Sequence, residues 1–157
     1  NFLAGFMAAL QKKGMNVTMS FILNNGSEDP CALLGAFGYG DNGDHYIVTN
    51  DKEVIYSTVQ EGYKEGVEWL HSLQEAGLID AEAFTQDWST YVNKGKNDKY
   101  GLFFSWDSAN IVSNFEDYVP LPPLSIHSAL LRSVYPLIAV SYWVNNSVSS
   151  IDINTNG

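Results

Sequence analysis

Three histidines, one cysteine and eighteen carboxylates are the side chains of this 157-residue chain best suited to carry a reaction. Their spacing builds none of the usual machinery. His45, His71 and His127 stand apart, no H-E-x-x-H pattern joins two of them, and no G-x-S-x-G turn exposes a nucleophile. Cys31, alone, can form neither an internal disulfide nor a thiolate zinc site. Glycoside hydrolysis needs two carboxylates facing each other across a sugar, whereas Glu61, Glu65 and Glu68 fall along one helix flank, the pattern of a solvated face. Asp41-Asn42-Gly43-Asp44 lacks the ligand spacing and the closing glutamate of a calcium loop. The glycines of 35–43 do not follow a strand and open a helix, as a dinucleotide cradle requires. Asn16-Val17-Thr18, Asn25-Gly26-Ser27 and Asn145-Asn146-Ser147 fit the glycosylation triplet, which chance supplies in an Asn-rich chain. The residues therefore predict no catalysis, no metal and no cofactor.

What remains is aromatic. Phe37, Tyr39, Trp88, Tyr91 and Trp106 fall in polar, glycine-rich or element-end settings. A sugar ring has an apolar face of C–H groups and an equator of hydroxyls, so an aromatic plane with short polar side chains beside it is suited to bind one. Trp106, Asp107, Ser108 and Asn110 offer that combination within five positions. The competing structural reading makes Trp106 a core residue and Asp107 or Ser108 the cap of a following helix.

These side chains need elements to hold them. Phe2, Leu3, Phe6, Met7 and Leu10 predict a helix that stops at Gly14, and "VTMSFIL" (17–23) predicts a strand. "NNGSEDP" (24–30) reads as a loop whose Ser27, Asp29 and Pro30 start a short helix through Leu34. The glycine-rich 35–44 reads as an exposed crossing, and "HYIV" and "VIY" flank a polar turn as a β-hairpin. A long helix follows, with Ser57/Gln60 or Thr58/Glu61 as capping boxes, a stripe of Val59, Tyr63, Val67, Leu70 and Leu73, and a close at Gly77-Leu78. Asp80 is expected to cap a second helix from Ala81 to about Val92, before a strand at Tyr100–Phe104. Asn110 to Tyr118 suits a helix, and "VPLPPL" (119–124) is extended by its prolines. The expected architecture is mixed α/β: long helices packed on a small sheet, with the hairpin at one side.

Composition narrows the partners. Hydrophobic residues at 45% and charged residues at 17% describe a chain that folds around a core. A net charge of −10 and scattered basic residues exclude nucleic acid and favour neutral or cationic ligands over anions. The most apolar stretch, 129–144, carries Arg132 and Pro136 and is shorter than the roughly 20 residues of a spanning helix.

"YKEGVEWLHSLQEAGLIDAEAFTQD" followed by "KYGLFFSWDSA" resembles the extracellular solute-binding proteins of bacterial ABC importers, in the lipoprotein branch that captures oligosaccharides. "LLGAFGYGDN" and "HYIVTNDKEVIYST" stand in the order expected there, so the resemblance runs from about Ser20 to Leu124. It implies a partial lobe of a periplasmic-binding-protein-like type II fold, a protein that closes on an oligosaccharide or other small neutral solute, delivers it to an ABC permease and does no chemistry. It implies an extracellular, cell-surface setting with a lipid anchor that this chain does not carry. It also implies that Trp106 enters the cleft with Asp107 and Ser108 beside it, and that Phe37 and Tyr39 are further contacts. Many relatives carry a calcium-loop-like stretch before the strand matching Met19-Ser20-Phe21; "LQKKGMNVT" has no carboxylate there, so no metal is expected. Family members are more than twice this length, which makes 1–124 a partial lobe; the similarity ends abruptly after Leu124, which makes 125–157 a divergent or frame-shifted tail. A lone half-cleft is expected to bind sugar weakly. A carbohydrate-binding module, a fragment of a carbohydrate-active enzyme and a protein-interaction domain are the alternatives.

Overall fold

The structure is a computed structural model that describes residues 2–37, 41, 43–48, 52–121 and 141–145. Helix α1 (Phe2–Lys12) ends where Gly14 takes the left-handed φ of +83°, and strand β1 (Thr18–Ser20) follows. A short helix α2 (Cys31–Leu34) starts at Asp29, whose carboxylate accepts the Cys31 N–H at 2.8 Å. Strands β2 (Tyr46–Val48) and β3 (Val54–Tyr56) form the predicted antiparallel hairpin, with Tyr46 opposite Tyr56. The long helix α3 (Glu61–Glu75), helix α4 (Trp88–Lys96) and strand β4 (Tyr100–Ser105) come next, then β5 (Tyr118–Leu121) and β6 (Ser141–Asn145). Of the tail 125–157, β6 is the described part.

The main sheet has the order β1-β4-β6-β5, with β1 parallel to β4 and the other pairs antiparallel. All six residues of β4 are buried, because the strand is covered on both faces. On one face Leu3, Met7 and Leu10 of α1 and Leu70 and Leu73 of α3 pack with Met19, Phe21, Leu102 and Phe104. On the other, Tyr91 of α4 packs with Ile22, Tyr100, Phe103, Ile111 and Tyr118. The mixed α/β architecture agrees with the sequence reading.

Several local expectations are corrected. Strand β1 covers only Thr18–Ser20 of the predicted 17–23, since the Ile22 N–H turns to the Glu28 carbonyl at 2.9 Å. Neither capping box forms at α3: Ser57–Val59 is a 3₁₀ turn, and the Ser57 hydroxyl lies against the buried Asp41 carboxylate. The buried face of α3 is Gly66, Leu70 and Leu73, while Val67 is exposed and Val59 is 72% exposed. Gly66 sets that rotation, because a Cβ there would lie 3.1 Å from the Phe37 ring and 3.2 Å from Leu34. Helix α4 begins at Trp88 rather than Ala81. Asp80 is held by Lys94 and accepts the Glu82 N–H, which turns the chain through 81–85, and Asp87 becomes the cap by accepting the Thr90 N–H at 2.8 Å. Between Asn110 and Tyr118 there are only 3₁₀ turns, at Ser108–Asn110 and Phe115–Asp117. The close of α3 follows the expectation: Gly77 has φ +68°, and the Leu78 N–H reaches back to the Leu73 carbonyl at 3.0 Å.

Candidate functional site

In open α/β sheets ligands collect outside the carboxyl ends of the parallel strands. Here those are the ends of β1 and β4, at Ser20 and Ser105. A ladder of phenols fixes the region. The Tyr91 hydroxyl donates to the Phe104 carbonyl at 3.0 Å and accepts the Phe104 N–H at 3.1 Å. The Tyr100 hydroxyl donates to the Tyr91 carbonyl at 2.9 Å, and the Tyr118 hydroxyl to the Tyr100 carbonyl at 2.7 Å. Burial raises the pKa of Tyr91 well above the ordinary phenol value and raises that of Tyr100 as well, so both stay neutral donors.

A polar network ties the end of β1 to the turn before α4. The Ser20 hydroxyl donates to Asp80 at 3.1 Å, and Lys94 Nζ binds Asp80 at 2.7 Å and Glu82 at 2.6 Å. Partial burial opposes the Lys94 charge, but the hydrogen bonds to Asp80 and Glu82 outweigh it and raise its pKa. Gln86 Nε2 donates to Ser20 Oγ and to the Phe21 carbonyl, both at 2.8 Å, which fixes the amide's orientation. Its Oε1 is buried and has no partner among the described residues. A buried orphan acceptor costs about 1–3 kcal/mol. Gln86 falls in the family-like stretch ending Phe84-Thr85-Gln86-Asp87, but its role is not legible there, because it depends on a main-chain carbonyl 65 residues away.

Trp106 stands where β4 leaves this frame and is 72% exposed. The reading of Trp106 as core is thereby excluded, while the capping half of that reading holds: Asp107 Oδ1 accepts the Ala109 N–H at 3.0 Å. The Asp107 carboxylate is exposed, as is Asn110, but Ser108 is only 3% exposed and does not present its hydroxyl at the surface. Phe37, in the turn after α2, is half-buried with its ring centroid 5.3 Å from that of Trp69 on α3, so part of its ring is taken up by packing. Tyr39 lies outside the described residues.

A second polar cluster sits at the hairpin base. Asp41, expected in an exposed crossing, is 5% exposed; both its oxygens lie 3.0 Å from His45 Nδ1, and Ser57 Oγ adjoins it. Partial burial, and then the Asp41 charge, raise the pKa of nearby Tyr63. Serine, histidine and aspartate meet here, yet the serine faces the carboxylate rather than an imidazole nitrogen, so no base stands ready to activate it. Among the described residues no three His, Cys, Asp or Glu side chains are disposed to hold a metal.

No family model matches the chain. It is 47% identical over 109 residues to the fructooligosaccharide ABC transporter substrate-binding protein FusA of Streptococcus pneumoniae serotype 4. This chain is a homologue of part of an ABC-transporter substrate-binding protein. The match takes in 69% of the chain and 20% of FusA, so the chain spans about a fifth of the curated relative's length. Two solved S. pneumoniae FusA structures are similar. The complex with kestose aligns with a TM-score of 0.75 and 36% identity over 95% of this chain and 32% of that one. The EF-hand mutant in complex with fructo-nystose aligns with a TM-score of 0.63 and 41% identity over 69% and 24%. The mixed α/β fold is thus that of a fragment of a solute-binding protein.

Proposed function

We propose that this chain forms part of a protein that captures oligosaccharides for an ABC transporter, with Trp106 as a stacking platform. The observation that carries the reading is an indole 72% exposed at the carboxyl end of a wholly buried strand, beside an exposed carboxylate. Exposing so large an apolar plane has a cost in water that covering by a sugar's C–H face removes. Asp107, its Oδ1 already capping a turn, can take a hydroxyl with its other oxygen. Phe37 and Tyr39 are secondary contacts in this proposal. A chain of net charge −10 meets no repulsion from a neutral sugar.

In this reading the solute is bound without reaction, released to a permease, and met outside the cell by a lipid-anchored protein. Residues 1–124 form a partial lobe, and 125–157 diverge from the family. A single lobe encloses only part of a ligand, so the isolated chain binds weakly.

The experiment uses two proteins: the 157-residue chain, and FusA in which the 109 homologous residues of this chain replace their counterparts. Calorimetric titration with kestose is expected to give binding to the chimera, little to the chain alone, and a loss of about tenfold or more in the chimera carrying Trp106→Ala. A chimera that melts cooperatively yet takes up no kestose, or binds it equally well without Trp106, would end the reading.

A further inference from the structure

The sheet end that displays Trp106 displays a second indole. Trp88, the first residue of α4, is 46% exposed. Its place follows from two contacts. The Lys99 N–H meets the Lys94 carbonyl at 3.2 Å where α4 passes into β4, and the Tyr91 hydroxyl meets Phe104 at the other end of the pair. Helix α4 therefore runs antiparallel to β4. Trp88 lies three residues before Tyr91, about 4.5 Å further along the helix. Trp106 lies two residues past Phe104, about 6.6 Å further along the strand. Both indoles thus continue beyond the Tyr91–Phe104 contact in the same direction.

Their supports are alike. Trp106 follows a strand held by the phenol ladder, and Trp88 follows Asp87, whose carboxylate fixes the helix start through Thr90 and Ser89. Trp88 also keeps its ring 6.3 Å from that of Tyr91, tilted by 43°, so the helix turn that carries the ladder carries Trp88 too. Two residues earlier, Gln86 fixes its amide on Ser20 and Phe21 and leaves a buried carbonyl without a partner among the described residues. The exposed plane is the kind of group on which a sugar stacks, and the buried Gln86 amide braces the turn that leads into Trp88.

We infer that Trp88 is a second stacking platform of this edge, holding a further unit of the oligosaccharide that stacks on Trp106. The inference rests on the capture reading above and adds to it a residue. A monosaccharide covers one indole; a trisaccharide reaches both. Affinity therefore rises from fructose to kestose, and Trp88 supplies part of that rise.

The test is made in the FusA chimera, with kestose and fructose as probes. Trp88→Ala is expected to weaken kestose binding about tenfold, to narrow the gap between kestose and fructose, and to leave the melting temperature within a few degrees. Trp88→Phe, which keeps a ring, is expected to recover most of the loss. In the unmutated chimera, the indole N–H resonance missing from the Trp88→Phe spectrum is expected to shift as kestose is added. Kestose binding that depends on Trp106 but changes less than twofold in Trp88→Ala, with that resonance unmoved, overturns the second platform and leaves the capture reading standing. Absence of kestose binding in a folded chimera overturns both. Should Trp88→Ala fail to fold, the resonance decides: movement supports the platform, and stillness overturns it.

Discussion

Two sets of aromatic side chains lie within a few residues of one another and serve opposite ends. Tyr91, Tyr100, Phe103 and Tyr118 are buried, and each phenol among them reaches a main-chain carbonyl. Trp106 and Trp88 stand at the rim with much of their rings in water. The difference lies in how completely neighbours enclose each ring, since Trp88 too has a ring beside it, that of Tyr91 at 6.3 Å. Inside, each ring is matched by another, as Tyr91 is by Tyr100 at 5.1 Å and Phe103 by Tyr118 at 5.2 Å. At the rim, Trp106 follows the last residue of a strand and precedes a capping aspartate, so the backbone fixes where it stands while its faces stay open. The interior set builds a rigid frame, and the rim set displays planes upon it.

Substitutions can break this contrast, and the largest effect is expected inside. Tyr91→Ala removes a fully buried ring and should cost about 3–5 kcal/mol in urea unfolding. Tyr91→Phe keeps the ring but leaves the Phe104 N–H and carbonyl without that hydroxyl, and should cost about 1–3 kcal/mol. A negligible cost would mean that the ladder is not the frame. Gly95→Ala is expected to come next, at about 1–3 kcal/mol, because the new methyl would sit 2.5 Å from the Ile111 carbonyl oxygen and push α4 off the turn beneath it.

Alkaline titration probes the same ladder. The unfolded chain ionises its phenols near 10, whereas burial raises Tyr91 and Tyr100 above that value. Between the two values the unfolded state binds fewer protons than the folded one, so stability is full below about pH 10 and falls as pH rises beyond it. Phenolate absorbance from these two residues should therefore appear together with unfolding rather than before it. The smallest effect is expected at the rim: Trp106→Ala should change unfolding by less than about 0.5 kcal/mol while it abolishes most sugar binding in the chimera.

What the sequence made legible was local. Gly77 and Leu78 close α3 through contacts within six residues, and the hairpin pairs as its two apolar runs predict. Trp106 was not legible in this way: its polar neighbours fit a core residue followed by a cap as well as an exposed platform, and only the family resemblance pointed to the 72% exposure observed. The misreadings share one cause, a distant partner. Ser57 fits a capping box until Asp41 engages its hydroxyl, and Asp80 fits a helix cap until Lys94, fourteen residues on, holds it in a turn. Val67 continues an apolar stripe, yet Gly66 faces inward because α2 and Phe37 need the space. Ser108 reads as a polar neighbour of Trp106, but the turn that Asp107 caps carries it inward.

The placement of β6 between β4 and β5 governs how the molecule can be made. During synthesis β4 and β5 precede Ser141, and each waits with a row of amides and carbonyls that, among the described residues, β6 comes to cover. Such open borders invite pairing between nascent chains. A version shortened ahead of residue 141 should clump in the cell, whatever the quality of its hydrophobic interior.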